Sequence, residues 1–243
     1  MNLRIDWDDD IVVVTLDRPQ RRNAVDHATL VELREVQLEV HRRQGRVVVL
    51  TGAPPAFCAG ADLNGVESDV FAAALAEVLH GFTGLDAVTI AAVDGPALGA
   101  GTQLAVACDL RVATPGSLFG IPAARLGLAV DSWTVQRVGH ELGWSMARAL
   151  LLTAQTPTAE RLHELGGVHR LGDLDVAVEW AREIARLAPL TQRAHKMALE
   201  HAVATIPPDE SVERARAAAW ASDDAQEGRM AFLDKRPARF TGR

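Results

Sequence analysis

Two stretches of the 243-residue sequence consist of small residues placed where a backbone could do chemistry. The first is Gly52-Ala53-Pro54-Pro55-Ala56-Phe57-Cys58-Ala59-Gly60-Ala61-Asp62-Leu63, and the second is Asp94-Gly95-Pro96-Ala97-Leu98-Gly99-Ala100-Gly101. Each follows a short apolar run, and the second opens a helical pattern. Small side chains let a ligand come close to the main chain. A helix start adds free N–H groups and the positive end of the helix dipole. Side by side, two such loops can aim two N–H donors at one developing oxyanion. Glycine-rich strand-to-helix turns also serve plain packing. Neither stretch fits a phosphate loop or the dinucleotide fingerprint. No G-x-S-x-G nucleophile elbow occurs, and the eight histidines show no zinc spacing.

The elements that must hold these loops are readable from apolar patterning. Leu3–Trp7 and Ile11–Leu16 read as paired strands across Asp8-Asp9-Asp10, and Asp17–Asn23 as a polar loop. Asp26 can cap a helix reaching about Gln44, with Leu30, Leu33, Val36 and Val40 on one face. Val47–Leu50 is a continuous apolar run of the kind buried in parallel sheets, and Val88–Val93 reads as the next strand. A helix is expected over Asp69–Phe82, a third over 100–108, and a strand over Leu110–Ala113, with Asp94-Gly95-Pro96 as a turn. From about residue 130 the pattern is helical, over 132–140, 144–153, 158–165, 174–188, 190–203, 209–221 and 224–234. Pro207-Pro208 marks a boundary inside that tail. Alternation of strand and helix implies an α/β core with parallel strands.

Composition narrows the function classes. Apolar residues make up 48% and charged residues 23%, which suits a globular chain rather than a disordered one. A net charge of −7 argues against nucleic acid or an anionic membrane as the main partner. No apolar run is long enough for a transmembrane helix. The N-terminus turns acidic at once, with no targeting segment. Two cysteines, Cys58 and Cys108, cannot build a disulfide framework and suit a reducing compartment. A cytoplasmic location is expected.

Five ordered segments carry a family resemblance over essentially the whole chain. They are Leu16–Asp26, Leu50–Leu63, Ala91–Thr114, Phe119–Leu128 and Ser222–Phe240. The sequence resembles the crotonase, or enoyl-CoA hydratase/isomerase, superfamily. It looks closest to short mycobacterial-type members named as hydratases. The resemblance implies an α/β fold: a ββα spiral core over residues 1–190 and a helical oligomerisation segment over 191–243. It implies an acyl-CoA or enoyl-CoA thioester as ligand, no separate cofactor, and assembly as a homotrimer or a hexamer of stacked trimers. A binding role would also call for a protein partner that these residues do not name.

The resemblance also assigns residues. The two N–H groups that polarise the thioester carbonyl map to Ala61 and Ala100, where the second position is usually Gly. The two hydratase glutamates map to Gln103 and Ala123, so both are absent. An amide can hold a water but is no base at neutral pH, and each lost acid–base group costs roughly 10²–10⁴-fold. Asp131 falls where dehalogenase-like members carry a nucleophilic Asp, yet Asp131-Ser132-Trp133-Thr134 also reads as a helix N-cap. Trp133 replaces a glycine-rich run and suggests a pocket rebuilt for apolar contact, or an ordinary core residue. Ala59, Asp62 and Leu63 belong to the ligand-facing loop, with Asp62 read as structural. Arg18, Arg21 and Arg22 lie where the family often meets the CoA phosphates, and otherwise form a solvated basic loop. Phe232, Lys235 and Arg236 lie in a tail that commonly caps the CoA of a neighbouring subunit. Three readings stay open: an acyl-CoA-binding homologue with little hydratase activity, an enzyme using Asp131 for thioester hydrolysis or isomerisation, and a hydratase with water held by Gln103.

Overall fold

The structure, a computed structural model, describes residues 2–62, 69–203 and 210–242. Strands β1 (Leu3–Asp8) and β2 (Ile11–Leu16) form the expected antiparallel pair. Asp26 caps α1 (His27–Arg42) by accepting the Thr29 N–H at 2.8 Å. β3 (Val47–Gly52), α2 (Asp69–Thr83) and β4 (Val88–Val93) follow. Then come β5 (Pro96–Leu98), α3 (Ala100–Ala107), β6 (Leu110–Ala113) and β7 (Leu118–Gly120). A short 3-10 turn at Pro122–Leu126 leads to α4 (Ser132–Leu142), α5 (Trp144–Thr153) and α6 (Ala159–Glu164). The chain ends with β8 (Arg170–Leu171), α7 (Leu174–Ala185), α8 (Pro189–Val203), α9 (Glu210–Trp220) and α10 (Asp223–Leu233).

One six-stranded sheet runs in the order β1-β2-β3-β4-β6-β8, with every pair beyond β1·β2 parallel. Its central strands β3 and β4 are buried on both faces, which is why they read as mostly apolar, Val-rich stretches. The larger apolar cluster fills the face toward α1, α2, α3 and α4. A smaller one, built on Ile11, Val47, Val49, Ile90 and Val112, is closed by Ala177, Ala181 and Ile184 of α7.

A second set of short pairings lies over the ends of the main strands. β5 pairs with β7, and isolated parallel bridges join Cys58 to Ala97 and Val25 to Ala61. The expected Asp94-Gly95-Pro96 turn is thus corrected at its end: Pro96 already begins a strand. Three-residue pairings carry too little pattern to be seen in sequence. Pro207-Pro208 lies outside the described residues. No helix among the described residues is long and apolar enough to cross a membrane.

Buried charge ties the helical tail to the sheet. Lys196 of α8 donates to the Phe82 and Ala87 carbonyls, each at 3.0 Å, and to Asp109 Oδ2 at 2.8 Å. At the other sheet edge, His169 Nδ1 accepts the Arg111 N–H at 3.2 Å. Burial, helped by the Arg111 charge, pushes His169 down to about 4. The folded state therefore resists a proton that the unfolded chain takes up near pH 6.5. The His169 contribution is full above that pH and is lost as pH falls toward 4. The effect is partial, because the ring's outer side meets solvent. In urea melts, the stability difference between the parent chain and His169→Gln should shift against the parent between pH 7 and pH 4.5. A difference independent of pH would contradict this account.

Candidate functional site

The first small-residue loop is fastened from below by Asn23. This buried side chain donates to the Ala53 and Ala56 carbonyls at 2.7 and 2.6 Å, while its Oδ1 accepts the Arg18 N–H at 2.9 Å. Further on, the loop runs beside β5. The Cys58 N–H donates to Pro96 O at 3.1 Å, and the Leu98 N–H returns to Cys58 O at 2.9 Å. Gly101 makes this approach possible, since a Cβ there would stand 2.2 Å from Cys58 O. Gly60 (φ +114°) and Gly99 (φ +54°) both adopt backbone angles that L side chains rarely take. A Cβ on Gly99 would lie 3.7 Å from the Gly60 Cα, so the two loops touch backbone to backbone.

That contact places the Ala61 and Ala100 N–H groups on adjoining segments. Val25 bonds to Gly60 O and Asp62 N, passing over the Ala61 N–H. Ala100 is the first residue of α3, where no intrahelical acceptor exists. Neither N–H has an acceptor among the described residues. Two such donors can hydrogen-bond one carbonyl oxygen and stabilise charge that develops on it. Thr102 fixes α3 here. Its hydroxyl bonds to Ala97 O and Gly120 O at 2.6 and 3.0 Å and accepts the Gly120 N–H at 2.9 Å.

The neighbouring side chains are mostly uncharged. Gln103 is buried, and its Nε2 donates to Thr134 Oγ1 at 2.7 Å. Asp131 is the N-cap of α4, its Oδ1 accepting the Thr134 N–H at 3.0 Å. Asp131, Thr134 and Gln103 thus form one chain of contacts across α4 and α3. Trp133 is half-buried against the main core and meets the His80 ring edge-on, with centroids 5.4 Å apart. Ala123 sits half-buried on the turn after β7. It brings a methyl where the resemblance expects a carboxylate.

The remaining expected residues divide. Arg18 is held inward: it pairs with Asp26 at 3.0 Å and Asp62 at 3.3 Å and donates to Ala24 O at 2.5 Å. Two carboxylates already neutralise it, so it is a brace of the loop more than a free cation, and Asp62 is half of that brace. Arg21 and Arg22 are exposed, and the Ala59 N–H donates to Arg22 O at 2.9 Å. Leu63 lies outside the described residues. Phe232, Lys235 and Arg236 are exposed at the end of α10, and no described contact brings them to Ala61, Ala100 or Gln103.

The tail itself folds onto its own chain. Cβ atoms on Gly127 and Gly228 would meet backbone of Asp224 and Leu126 at 2.5 and 2.4 Å. Trp220 Nε1 donates to Ala129 O at 2.7 Å, and Glu213 accepts from Ser132 Oγ at 2.8 Å. Hydrogen bonds from Arg216 and Ser132 hold the Glu213 carboxyl below its ordinary range. Sequence reasoning missed Asn23, Thr102, Thr134 and Glu213. Each acts across a long stretch of chain, and nothing in local spacing marks it. Cys58 and Cys108 are fully buried, and burial pushes both thiols up to about 12, so neither is a ready nucleophile. Cavities of about 610 and 210 Å³ lie at the α10–tail junction and beside the start of α7; Gly52, Ala53, Pro54 and Asp94 line part of the second, and neither is lined by Ala61, Ala100 or Gln103.

A parallel sheet, a second layer of short strands and a helix that starts on a bare N–H beside another define a crotonase-fold protein. The comparisons agree. A family profile described as enoyl-CoA hydratase/isomerase matches residues 6–243. The chain belongs to the enoyl-CoA hydratase/isomerase family. It is 40% identical to the Mycobacterium tuberculosis protein named "Probable enoyl-CoA hydratase echA6", over 96% of each chain. It is 33% identical to the 2,3-dehydroadipyl-CoA hydratase of Escherichia coli, again over 96% of each. Carnitinyl-CoA hydratase from Mycobacterium avium superposes with a TM-score of 0.89 at 31% identity, covering 100% of this chain and 99% of that one.

The capping geometry gives a direct test. Asp131→Ala should destabilise the protein by about 1 kcal/mol through loss of the α4 cap, and Asp131→Asn by much less. Chemical denaturation of the three proteins checks the order, and equal stability would remove the cap from the account.

Proposed function

We propose that this chain binds an acyl-CoA or enoyl-CoA thioester through the Ala61 and Ala100 N–H groups and has little or no hydratase activity. The ligand class follows from the family, whose relatives include enzymes named for CoA thioesters. The observation that carries the second half is the pair Gln103 and Ala123. Hydration needs one group to activate water and one to protonate carbon. The Gln103 amide is engaged by a buried hydroxyl, and Ala123 has nothing to ionise. Ala59, Trp133 and Ala123 would then face the acyl chain, in an apolar setting suited to holding it. Arg21 and Arg22 are exposed and make no ion pair among the described residues, unlike Arg18, and Arg22 would meet the CoA phosphates.

The test is hydration of trans-2-enoyl-CoAs from short to long, with binding of the same compounds followed in the same samples. Binding without turnover is expected. Turnover at full hydratase rates would overturn the reading and return the water-holding role to Gln103. Installing both glutamates, Gln103→Glu with Ala123→Glu, should raise hydration by at least ~10² if the acid–base pair is all that is missing.

One observation favours a second reading. The Asp131 carboxylate uses only Oδ1 for its cap, and Oδ2 has no hydrogen bond among the described residues. Asp131 would then act on the thioester, in hydrolysis or isomerisation. Asp131→Asn separates the two: it should leave acyl-CoA binding intact in the first reading and abolish any turnover in the second.

Self-association is part of the proposal. Leu190, Met197 and Leu199 on α8 and Phe232 and Leu233 on α10 are each more than 60% exposed. Apolar surface of that extent favours a homo-oligomer, a trimer or hexamer by family. Sedimentation should show one, and a stable monomer at micromolar concentration would refute it.

A further inference from the structure

Helix α3 has only eight residues, and every one is buried. Its first N–H, on Ala100, belongs to the proposed thioester site, and its last carbonyls face the protein interior without intrahelical partners. Two arginines take them. Arg111 donates Nη1 to Ala105 O at 3.2 Å and to Cys108 O at 2.9 Å. Arg137 of α4 donates Nε to Val106 O at 2.7 Å. Both are almost wholly buried, at 1% and 3% exposure.

Buried guanidinium groups must be neutralised. Glu141 pairs with both arginines, and Glu200 of α8 takes Arg137 Nη1 on both oxygens, at 2.7 and 2.9 Å. Two cations and two anions thus link the end of α3 to the helical tail. The link repeats at regular spacing. Gln103 meets Thr134 near the site, and three residues on along both helices Val106 meets Arg137. These two rungs hold α3 against α4, and Glu200, with Glu141, holds the arginine of the second.

We infer that Arg137 and Glu200 are positioning residues: through the Val106 carbonyl they set the axial placement of α3, and so of the Ala100 N–H that polarises the thioester. Docking of α8 then governs the strength of that polarisation. The inference rests on the proposed thioester site, and the experiment is chosen to keep the two apart.

The probe is cinnamoyl-CoA, a conjugated thioester whose absorption moves to longer wavelength when its carbonyl is polarised by hydrogen-bond donors. Free CoA, which lacks that carbonyl, is the control ligand. Glu200→Gln and Arg137→Lys should bind free CoA as the parent does, while the wavelength shift of bound cinnamoyl-CoA becomes smaller. Glu200 is partly solvent-exposed, so Glu200→Gln carries the test if Arg137→Lys does not fold. Glu200→Ala should show a deeper loss of shift than Glu200→Gln, because Gln can still accept from Arg137. An unchanged shift in the folded variants, or a loss of shift matched by an equal loss of CoA affinity, overturns the positioning role and leaves the thioester site standing. A parent chain that binds cinnamoyl-CoA with no shift, or does not bind it, overturns the thioester site and the positioning role together.

Discussion

Two backbones can approach closely at a helix start only where no side chain stands between them. Cys58–Gly60 and Gly99–Gly101 meet this condition, and most of the local sequence serves it. Gly101 is glycine because Cys58 O occupies the place of its Cβ, and Gly60 and Gly99 because their φ angles favour glycine. Asn23 and the Arg18–Asp26–Asp62 brace hold one side of the contact, and Thr102 holds the other. Neither the Ala61 nor the Ala100 side chain makes the donors. Their methyls only shape what can approach, so the alanine at position 100 keeps the N–H while adding bulk beside it.

The same constraint explains why so much charge is buried far from the surface. A helix with no exposed residue leaves its final carbonyls without water, and carbonyls in that state are costly unless bonded. Arginine offers several donors in a planar fork, which suits three carbonyls from one helix end better than a point charge would. Each buried guanidinium then demands a carboxylate, and the carboxylates come from α4 and α8. Removing one partner from such a set is far more damaging than never having built it. The tail helix α8 is therefore joined to the sheet by Lys196 and to α3 by Glu200, both through buried or half-buried polar contacts.

How much of this was legible depended on how local each feature is. β2 announced itself as a short β-branched run, β3 as a continuous apolar one and β4 as a mostly apolar one, and α1 by its Asp26 cap and its Leu30, Leu33, Val36, Val40 face. Asp131 was legible in the same way, because an N-cap is defined by its next three residues. β5, β7 and β8 were missed, since two or three residues carry no period and are held by partners far along the chain. Arg111 and Arg137 gave no warning, as charged residues in sequence look alike whether they face solvent or a helix end. At the candidate site, the two small-residue loops could be read from their composition. The meanings of Gln103 and Ala123 came from family resemblance alone, because a glutamine and an alanine carry no chemical signal of what they replace.

The contact between Gln103 and Thr134 bears on the proposal that Gln103 stands where the family's hydratases carry a glutamate. A threonine hydroxyl both donates and accepts. It accepts from the Gln103 amide here, and it could donate to a carboxylate in the same place with little movement. On that reading, Gln103 keeps the tie between α3 and α4 without a carboxylate's charge. The charge would not have been neutral in effect, since the Asp131 carboxylate caps the same Thr134 through its N–H. Two carboxylates around one threonine would repel, and one would hold its proton to higher pH. A neutral amide at position 103 avoids that repulsion beside the Asp131 cap. Ala123 is different in kind: its methyl has nothing to ionise. On the proposed reading, the pair combines one residue that keeps a buried tie with one that offers no proton, the combination expected where a ligand must fit but no proton need move.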